Sequence, residues 1–455
     1  MRRPATGPGA RRQHRGRGPS RPFLFDRGTG IIAGKQEHRR QALHRLSLAA
    51  LIFAFATGGC GAGANSPLET SSPPMARDHR ASPPASFVAW RDEFRSYALS
   101  QGIRPEVFDA AFRGVTENPE VARLDGSQAE FTKPLWEYLD GAASAARVQT
   151  GRARAQELNR TLAAIESRYG VDSQVVLAVW GMETNYGSNR GSMPVIESLA
   201  TLAYEGRRRD FAEEQLLAAL RILQAGDVSP GVMRGSWAGA MGHTQFMPTS
   251  YLSYAVDFTG DGRRDVWGDD PSDALASAAN YLARAGWQHG RPWGMEVRLP
   301  EGFNYGTADQ SNRRPVADWN ARGVRRLDGS PLPDHGPAAV ITPAGATGPA
   351  FVVYGNFFVI KEYNNATSYA MGIGHLGDRI AGGGAFVQSW PRHERELSRT
   401  EKIEMQKRLT ARGFDPGATD GVVGPDTISA IRAFQSSQGM VPDGFATSAL
   451  LARLR

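Results

Sequence analysis

The segment VLAVWGMETNYG, residues 176–187, strands one carboxylate at the end of an otherwise apolar run. Val175, Val176, Leu177, Val179 and Trp180 read as a buried helix, and the Asn-Tyr-Gly that follows breaks it. Glu183 is therefore expected at a helix C-terminus, facing a cleft. A carboxyl group there, partly desolvated and near the negative end of the helix dipole, holds its proton to a higher pH than a free one. That property suits a general acid. The competing reading is a surface glutamate beside a loop.

Further along lies GSWAGAMGHTQFMPTSY, residues 235–251, where small residues alternate with Met, Phe and Trp, and the polar Ser236, His243 and Gln245 are interspersed. Gly239 and Gly242 allow close backbone approach or unusual dihedrals, which suits a groove wall better than a plain core helix. The paired segments GMETNYG and GSWAGAMGHTQFMPTSY resemble those of the membrane-bound lytic transglycosylase B family of bacterial cell-wall enzymes. The match continues through YAVDFTGDGRRDVW, SAANYLARAGW and VIKEYNNATSYAMGIGHL, over most of residues 85–392.

The resemblance implies a lysozyme-like catalytic domain that cleaves the β-1,4 bond between N-acetylmuramic acid and N-acetylglucosamine in peptidoglycan. Most glycosidases use two carboxylates. In this family one glutamate protonates the glycosidic oxygen and then takes a proton from the muramic acid 6-hydroxyl, leaving a 1,6-anhydro end; no cofactor is needed for the chemistry. Carried over residue by residue, the acid/base falls on Glu183, and the groove contacts fall on Ser236, Gln245, Tyr281, Tyr363, Asn364 and Tyr369. Hydroxyls and amides can hold N-acetyl groups, and tyrosine rings offer flat faces to a pyranose. Taken singly, Tyr281 and Tyr369 read equally well as core aromatics with one hydroxyl hydrogen bond. His243 receives no role.

A second constellation, DFTGDGRRD at 257–265, has oxygen-bearing side chains at positions 1, 3, 5 and 9 and glycine at position 6, the spacing of an EF-hand loop. A structural Ca²⁺ would be held by Asp257, Thr259, Asp261 and the backbone carbonyl of Arg263. Position 12 is Gly268 in place of the usual glutamate, and the resemblance points to Asp273 as a delayed ligand. The alternative is an Asp/Gly-rich loop closed by its own turns.

From Ile403 onward the chain restarts as three short amphipathic helices joined by Gly/Asp turns. MQKRLTARGF followed by DGVVGPDTISAIRAFQ resembles the peptidoglycan-binding type 1 module, which implies tethering to the wall. DGVVG itself reads as a turn, since it lacks ligands at positions 3 and 5.

At the other end, the apolar run Leu46–Ala56 follows Arg39, Arg40 and Arg45 and precedes Cys60, the only cysteine. The run is too short to span a bilayer and fits a signal peptide, and Cys60 is placed for lipid attachment. The parts are then residues 1–60, a basic tail and signal segment; 61–84, a flexible linker; 85–392, the catalytic domain; and 398–455, the wall-binding module. The expected location is the periplasm of a Gram-negative bacterium, at the outer membrane if Cys60 is lipidated, with the lipid as the only membrane contact. The net charge of +7 and pI near 9.6 suit attraction to an acidic wall polymer; no basic helix or aromatic platform marks a nucleic-acid site.

The expected fold is mainly α, with clear helices at 86–100, 145–169, 207–224 and 274–285 and a small α+β subdomain whose strand-like pieces include 351–354 and 357–360. Three functions compete: a lytic transglycosylase, a hydrolytic muramidase that admits water, and a non-catalytic wall-binding protein. The hydrolase needs a second carboxylate opposite Glu183, and Asp210, Glu213 and Glu214 read more simply as a solvated helix face.

Overall fold

A computed structural model describes residues 85–126, 133–205 and 208–455. The signal segment, Cys60 and the linker 61–84 lie outside the described residues. The first helix, Phe87–Ser100, begins where Ser86 Oγ accepts the Ala89 N–H at 3.1 Å, a side-chain cap on an otherwise orphan donor. Its buried Trp90, Phe94 and Ala98 repeat at helical spacing, and the rings of Trp90 and Phe94 stack at 5.4 Å. The indole N–H of Trp90 donates to Glu213 Oε1 at 3.1 Å inside the core. Glu213, 4 % exposed, is thus no part of a solvated face, although Asp210 and Glu214 are exposed.

The helix Ser173–Thr184 lies at the centre. Val175 to Gly181 are buried without interruption, as required of a helix enclosed on every side. It packs against Ala145–Glu157, Asn159–Tyr169, Ser272–Arg284 and Thr367–Ile380. The stretch expected as one helix from 145 to 169 is two, because Leu158 (φ −100°, ψ 18°) leaves helical geometry between them. At its far end Asp172 accepts the Trp287 indole N–H at 2.8 Å, and Glu166 pairs with His289 at 2.8 Å.

The α+β subdomain is a four-stranded antiparallel sheet in the order 325–326, 294–298, 350–353, 339–341. Its own core gathers Val297, Trp319, Val340, Val352 and Tyr354. Residues 357–360, expected as a strand, belong instead to the helix Gly355–Tyr363. Phe357, Val359 and Ile360 are all buried there, so the sequence has no polar alternation from which a period could be read.

The C-terminal helices Arg399–Ala411, Pro425–Ser437 and Ser448–Leu454 close over Leu409, Ile431, Phe434, Leu450, Leu451 and Leu454. Ser398 and Glu401 form a reciprocal capping box at the start. The DGVVG segment is a turn: Asp420 Oδ1 accepts Val422 N–H at 2.8 Å, and buried Gln406 receives Gly421 N–H at 2.9 Å. Asp443 Oδ2 accepts Ala346 N–H at 2.8 Å, and Arg432 donates to the Tyr305 carbonyl at 3.0 Å, which joins this module to the subdomain. Among the described residues no helix is long and apolar enough to cross a membrane.

Candidate active site

The central helix ends at Thr184 because Asn185 adopts φ +49° and Tyr186 φ +57°. Asparagine tolerates the left-handed region; a buried tyrosine there is strained and must be held by its surroundings. The hold is visible: Tyr186 Oη donates to the Arg147 carbonyl at 2.9 Å, and its ring meets Trp180 edge-on at 5.7 Å. The chain therefore turns sharply one residue past Thr184, and Glu183 is left on the last turn.

Glu183 keeps a partly open face, but the protein around its carboxyl removes most of the water that would solvate an anion. Burial pushes its pKa up to about 7, against a hydrogen bond from Tyr369 that favours the carboxylate. That bond runs from Tyr369 Oη to Glu183 Oε1 at 2.6 Å. Tyr369 sits in the first turns of Thr367–Ile380, the helix packed along the central one. Its phenol is raised well above the usual value, first by burial and then by the Glu183 charge, so it stays a neutral donor.

Behind Tyr369 the ring of Tyr363 lies parallel to it, 6° between planes and 6.4 Å between centroids, and Tyr281 follows at 4.9 Å from Tyr363. Tyr363 Oη donates to the Thr244 carbonyl and Tyr281 Oη to the Glu362 carbonyl, each at 2.5 Å. At 6 % and 7 % exposure, these two offer little free surface and chiefly back Tyr369. Asn364, also buried, accepts Ala366 N–H through Oδ1 at 3.1 Å at the entry to the Tyr369 helix.

Ser236 and Gln245 lie on the loop 235–246, and neither bonds Glu183. Ser236 Oγ accepts Ala240 N–H at 3.0 Å, which leaves its hydroxyl hydrogen to donate. Gln245, at φ +50°, donates through Nε2 to the Gly242 and Arg190 carbonyls at 2.8 and 3.2 Å, so Oε1 remains as an acceptor. Glycine is required at 239 (φ +86°) and 242 (φ +68°), where a side chain would press into Leu199 and the Val266 carbonyl.

One neighbour of Glu183 has no motif to announce it. Tyr138, on the helix Leu135–Ala142, has a phenol raised by burial and by the charge of Glu183, and its ring packs against the Gly372 backbone. The only signal was an aromatic residue off the buried face marked by Trp136 and Leu139.

In the 257–273 loop, Asp257 takes the Gly260 and Gly262 N–H groups at 2.6 and 2.8 Å. Thr259 Oγ1 is 3.5 Å from Asp257 Oδ1, and Asp261 accepts Arg263 N–H at 2.9 Å. Asp273, 2 % exposed, accepts Phe258, Thr259 and Asp265 N–H groups at 2.9, 3.0 and 2.9 Å. One carboxylate oxygen from each of Asp257, Asp261 and Asp273 falls within 4.8 Å of the others. A hard cation fits this oxygen set.

A desolvated carboxyl at a helix end, on a mainly helical scaffold and met by a tyrosine donor, suits a general acid and fits a lysozyme-like, glycan-cleaving class of protein. Within that class, the chain belongs to the family described as Transglycosylase SLT domain, whose model matches residues 86–378; residues 398–454 match a peptidoglycan binding domain. It is 35 % identical over 221 residues to the membrane-bound lytic murein transglycosylase B of Escherichia coli K12, covering 47 % of this chain and 58 % of that relative. It is 53 % identical to SltB3 of Pseudomonas aeruginosa, solved in complex with NAG-anhNAM-pentapeptide, with a TM-score of 0.79 over 82 % of this chain and all of that one. E. coli Slt35, solved in complex with calcium, is 27 % identical with a TM-score of 0.57, over 68 % of this chain and 98 % of that one.

The raised Glu183 pKa carries a stability consequence of definite sign. Between about 4.5 and about 7 the folded chain keeps a proton that the unfolded chain releases, so this group's contribution is complete below that window and is lost as pH rises through it. Glu183→Gln removes the loss: thermal melts should coincide at pH 4, and the variant should melt a few degrees higher at pH 8. Coincident melts at pH 8 would mean that the carboxyl is not desolvated.

Proposed function

We propose that the protein is a lytic murein transglycosylase, with Glu183 as its one acid and base. The observation that carries this reading is the environment of Glu183: burial and Tyr369 set its pKa, and no second carboxylate is among the described groups that shift it. Glu213, the nearest alternative in the sequence argument, is committed to Trp90 in the core.

In the proposed reaction, protonated Glu183 gives its proton to the glycosidic oxygen as the bond from C1 of N-acetylmuramic acid breaks. The resulting carboxylate then takes the proton of the same sugar's 6-hydroxyl, whose oxygen closes onto C1, so the acid is regenerated and water takes no part. A group titrating near neutrality serves both halves, since it is readily protonated and readily deprotonated. Tyr369 steadies the intermediate carboxylate; Tyr363 and Tyr281 keep its ring in place, while Ser236, Gln245 and Asn364 present the polar groups for N-acetyl and hydroxyl recognition. The segment 398–455 holds the enzyme at its polymer, beside a catalytic domain taken as 85–392. Mass spectrometry of muropeptides released from purified peptidoglycan should find products one water lighter than hydrolytic ones, with release about 10²–10⁴-fold slower in Glu183→Gln. Reducing-end products would contradict the mechanism.

We also propose that Asp257, Thr259, Asp261, the Arg263 carbonyl and Asp273 hold a structural Ca²⁺, which would supply positive charge to a loop closed by three carboxylates. Calcium should raise the thermal midpoint over a chelator control, and the rise should keep growing with the logarithm of calcium concentration once the site is filled. Asp261→Asn should shrink that rise by more than half; an equal rise in the variant would place calcium elsewhere.

The N-terminal segment supports export to the periplasm and a lipid on Cys60 that retains the enzyme at the outer membrane. Cys60→Ser should move the exported protein from the membrane to the soluble fraction, whereas unchanged membrane retention would refute the anchor.

A further inference from the structure

His243 is 4 % exposed and occupies a junction between two parts of the molecule that have so far been treated separately. On one side its Nδ1 receives the indole N–H of Trp180 at 3.0 Å, and its carbonyl receives Thr184 Oγ1 at 2.7 Å. Trp180 and Thr184 are the residues three before and one after Glu183, on the same final turn. An indole N–H can only donate, so Nδ1 carries no proton and Nε2 must. Nε2–H then donates to the Gly268 carbonyl at 2.7 Å.

Gly268 lies within the 257–273 loop. Its carbonyl also receives Arg190 Nη1 at 2.6 Å, and the same nitrogen reaches the Trp267 carbonyl at 2.7 Å. Its N–H, with that of Trp267, is fixed by Asp265 Oδ1 at 2.9 and 2.8 Å. Asp265 N–H in turn donates to Asp273 Oδ2 at 2.9 Å. The hydrogen bonds therefore run from the buried Asp273, through Asp265, Gly268 and His243, to Trp180 and Thr184 on the turn that carries Glu183.

We propose that His243 is a positioning residue that transmits the geometry of the 257–273 loop to the turn carrying Glu183. This rests on the role assigned to Glu183 above. The physical reason is the strained turn at Asn185 and Tyr186: a helix end held in left-handed geometry keeps its register only while outside bonds over-determine it. Beside the Tyr186–Arg147 bond, Trp180 Nε1–H and Thr184 Oγ1–H supply such bonds, and both of these end on His243. A shift of the loop moves the Gly268 carbonyl, rotates the imidazole and displaces the indole, all without any contact to substrate.

The test uses the full chain and two readouts: kcat and KM on soluble glycan strands, and the Trp180 indole N–H resonance. His243→Phe keeps the ring volume and removes both nitrogens; Asp265→Ala loosens Gly268 from the loop side. Each should lower kcat roughly tenfold with KM changed less than about twofold, and each should move the indole resonance. The double variant should lose no more than the worse single variant, because both cut one chain of bonds. Asp265→Asn, which keeps an acceptor oxygen, should recover most of kcat. Multiplicative losses in the double variant, a raised KM with parental kcat, or an indole resonance unmoved by Asp265→Ala would each overturn the coupling. If His243→Phe does not fold, the Asp265→Ala and Asp265→Asn pair decides alone through the resonance. That readout needs no turnover, so failure of the coupling is distinct from failure of the transglycosylase reading.

Discussion

Removal of water from one carboxyl group is the constraint on which the rest of the structure depends. A glutamate in water ionises far below neutrality, and a side chain that must give and take a proton at neutral pH has to be made reluctant to ionise. The protein does this by placing Glu183 on the last turn of a largely apolar helix and walling the carboxyl with Tyr369 and, behind it, Tyr363 and Tyr281. The tyrosines leave one donor, the Tyr369 phenol, aimed at the carboxylate, so desolvation is tempered and the pKa settles near 7. Remote packing serves the same end: the helices 145–157, 159–169, 272–284 and 367–380 pack around the central helix and leave only a partly open face at Glu183.

The arrangement costs stability where it serves chemistry. Left-handed dihedrals at Asn185, Tyr186 and Gln245 fall near the same turn, and those of Tyr186 and Gln245 persist because bonds to the Arg147 and Gly242 carbonyls, with that of Thr184 to the His243 carbonyl, oppose their relaxation. Elsewhere the described fold is conventional: packed helices, a short antiparallel sheet and a three-helix module built on leucine and phenylalanine.

Much of this was legible from the residues. The apolar run Val175–Trp180 read as a buried helix, and Asn-Tyr-Gly after it as the sharp stop that leaves Glu183 on the last turn. The acidic loop at 257–265 showed its spacing, and the three C-terminal helices their apolar period. Other features were hidden for definite reasons. Residues 357–360 are apolar on every side, so helix and strand give the same pattern and only the length of chain available decides. Leu158 breaks a helix without glycine or proline to mark it. Glu213 looks solvent-facing because its partner, Trp90, is 123 residues away in the chain. Tyr138 and His243 reach the site through tertiary packing alone: Tyr138 lies off its helix's buried face, and His243 binds groups from two distant segments. Local periodicity carries elements, while contacts between elements decide which polar side chains share a site.

The most direct test is a titration of the Glu183 side-chain carboxyl by ¹³C NMR, assigned by comparison with Glu183→Gln. The structure predicts a midpoint near 7, moving upward in Tyr369→Phe, where the donor that favours the carboxylate is gone. A midpoint near 4.5, the ordinary value for a glutamate, would contradict the account at its root, since the carboxyl would then be an exposed anion with no proton to give.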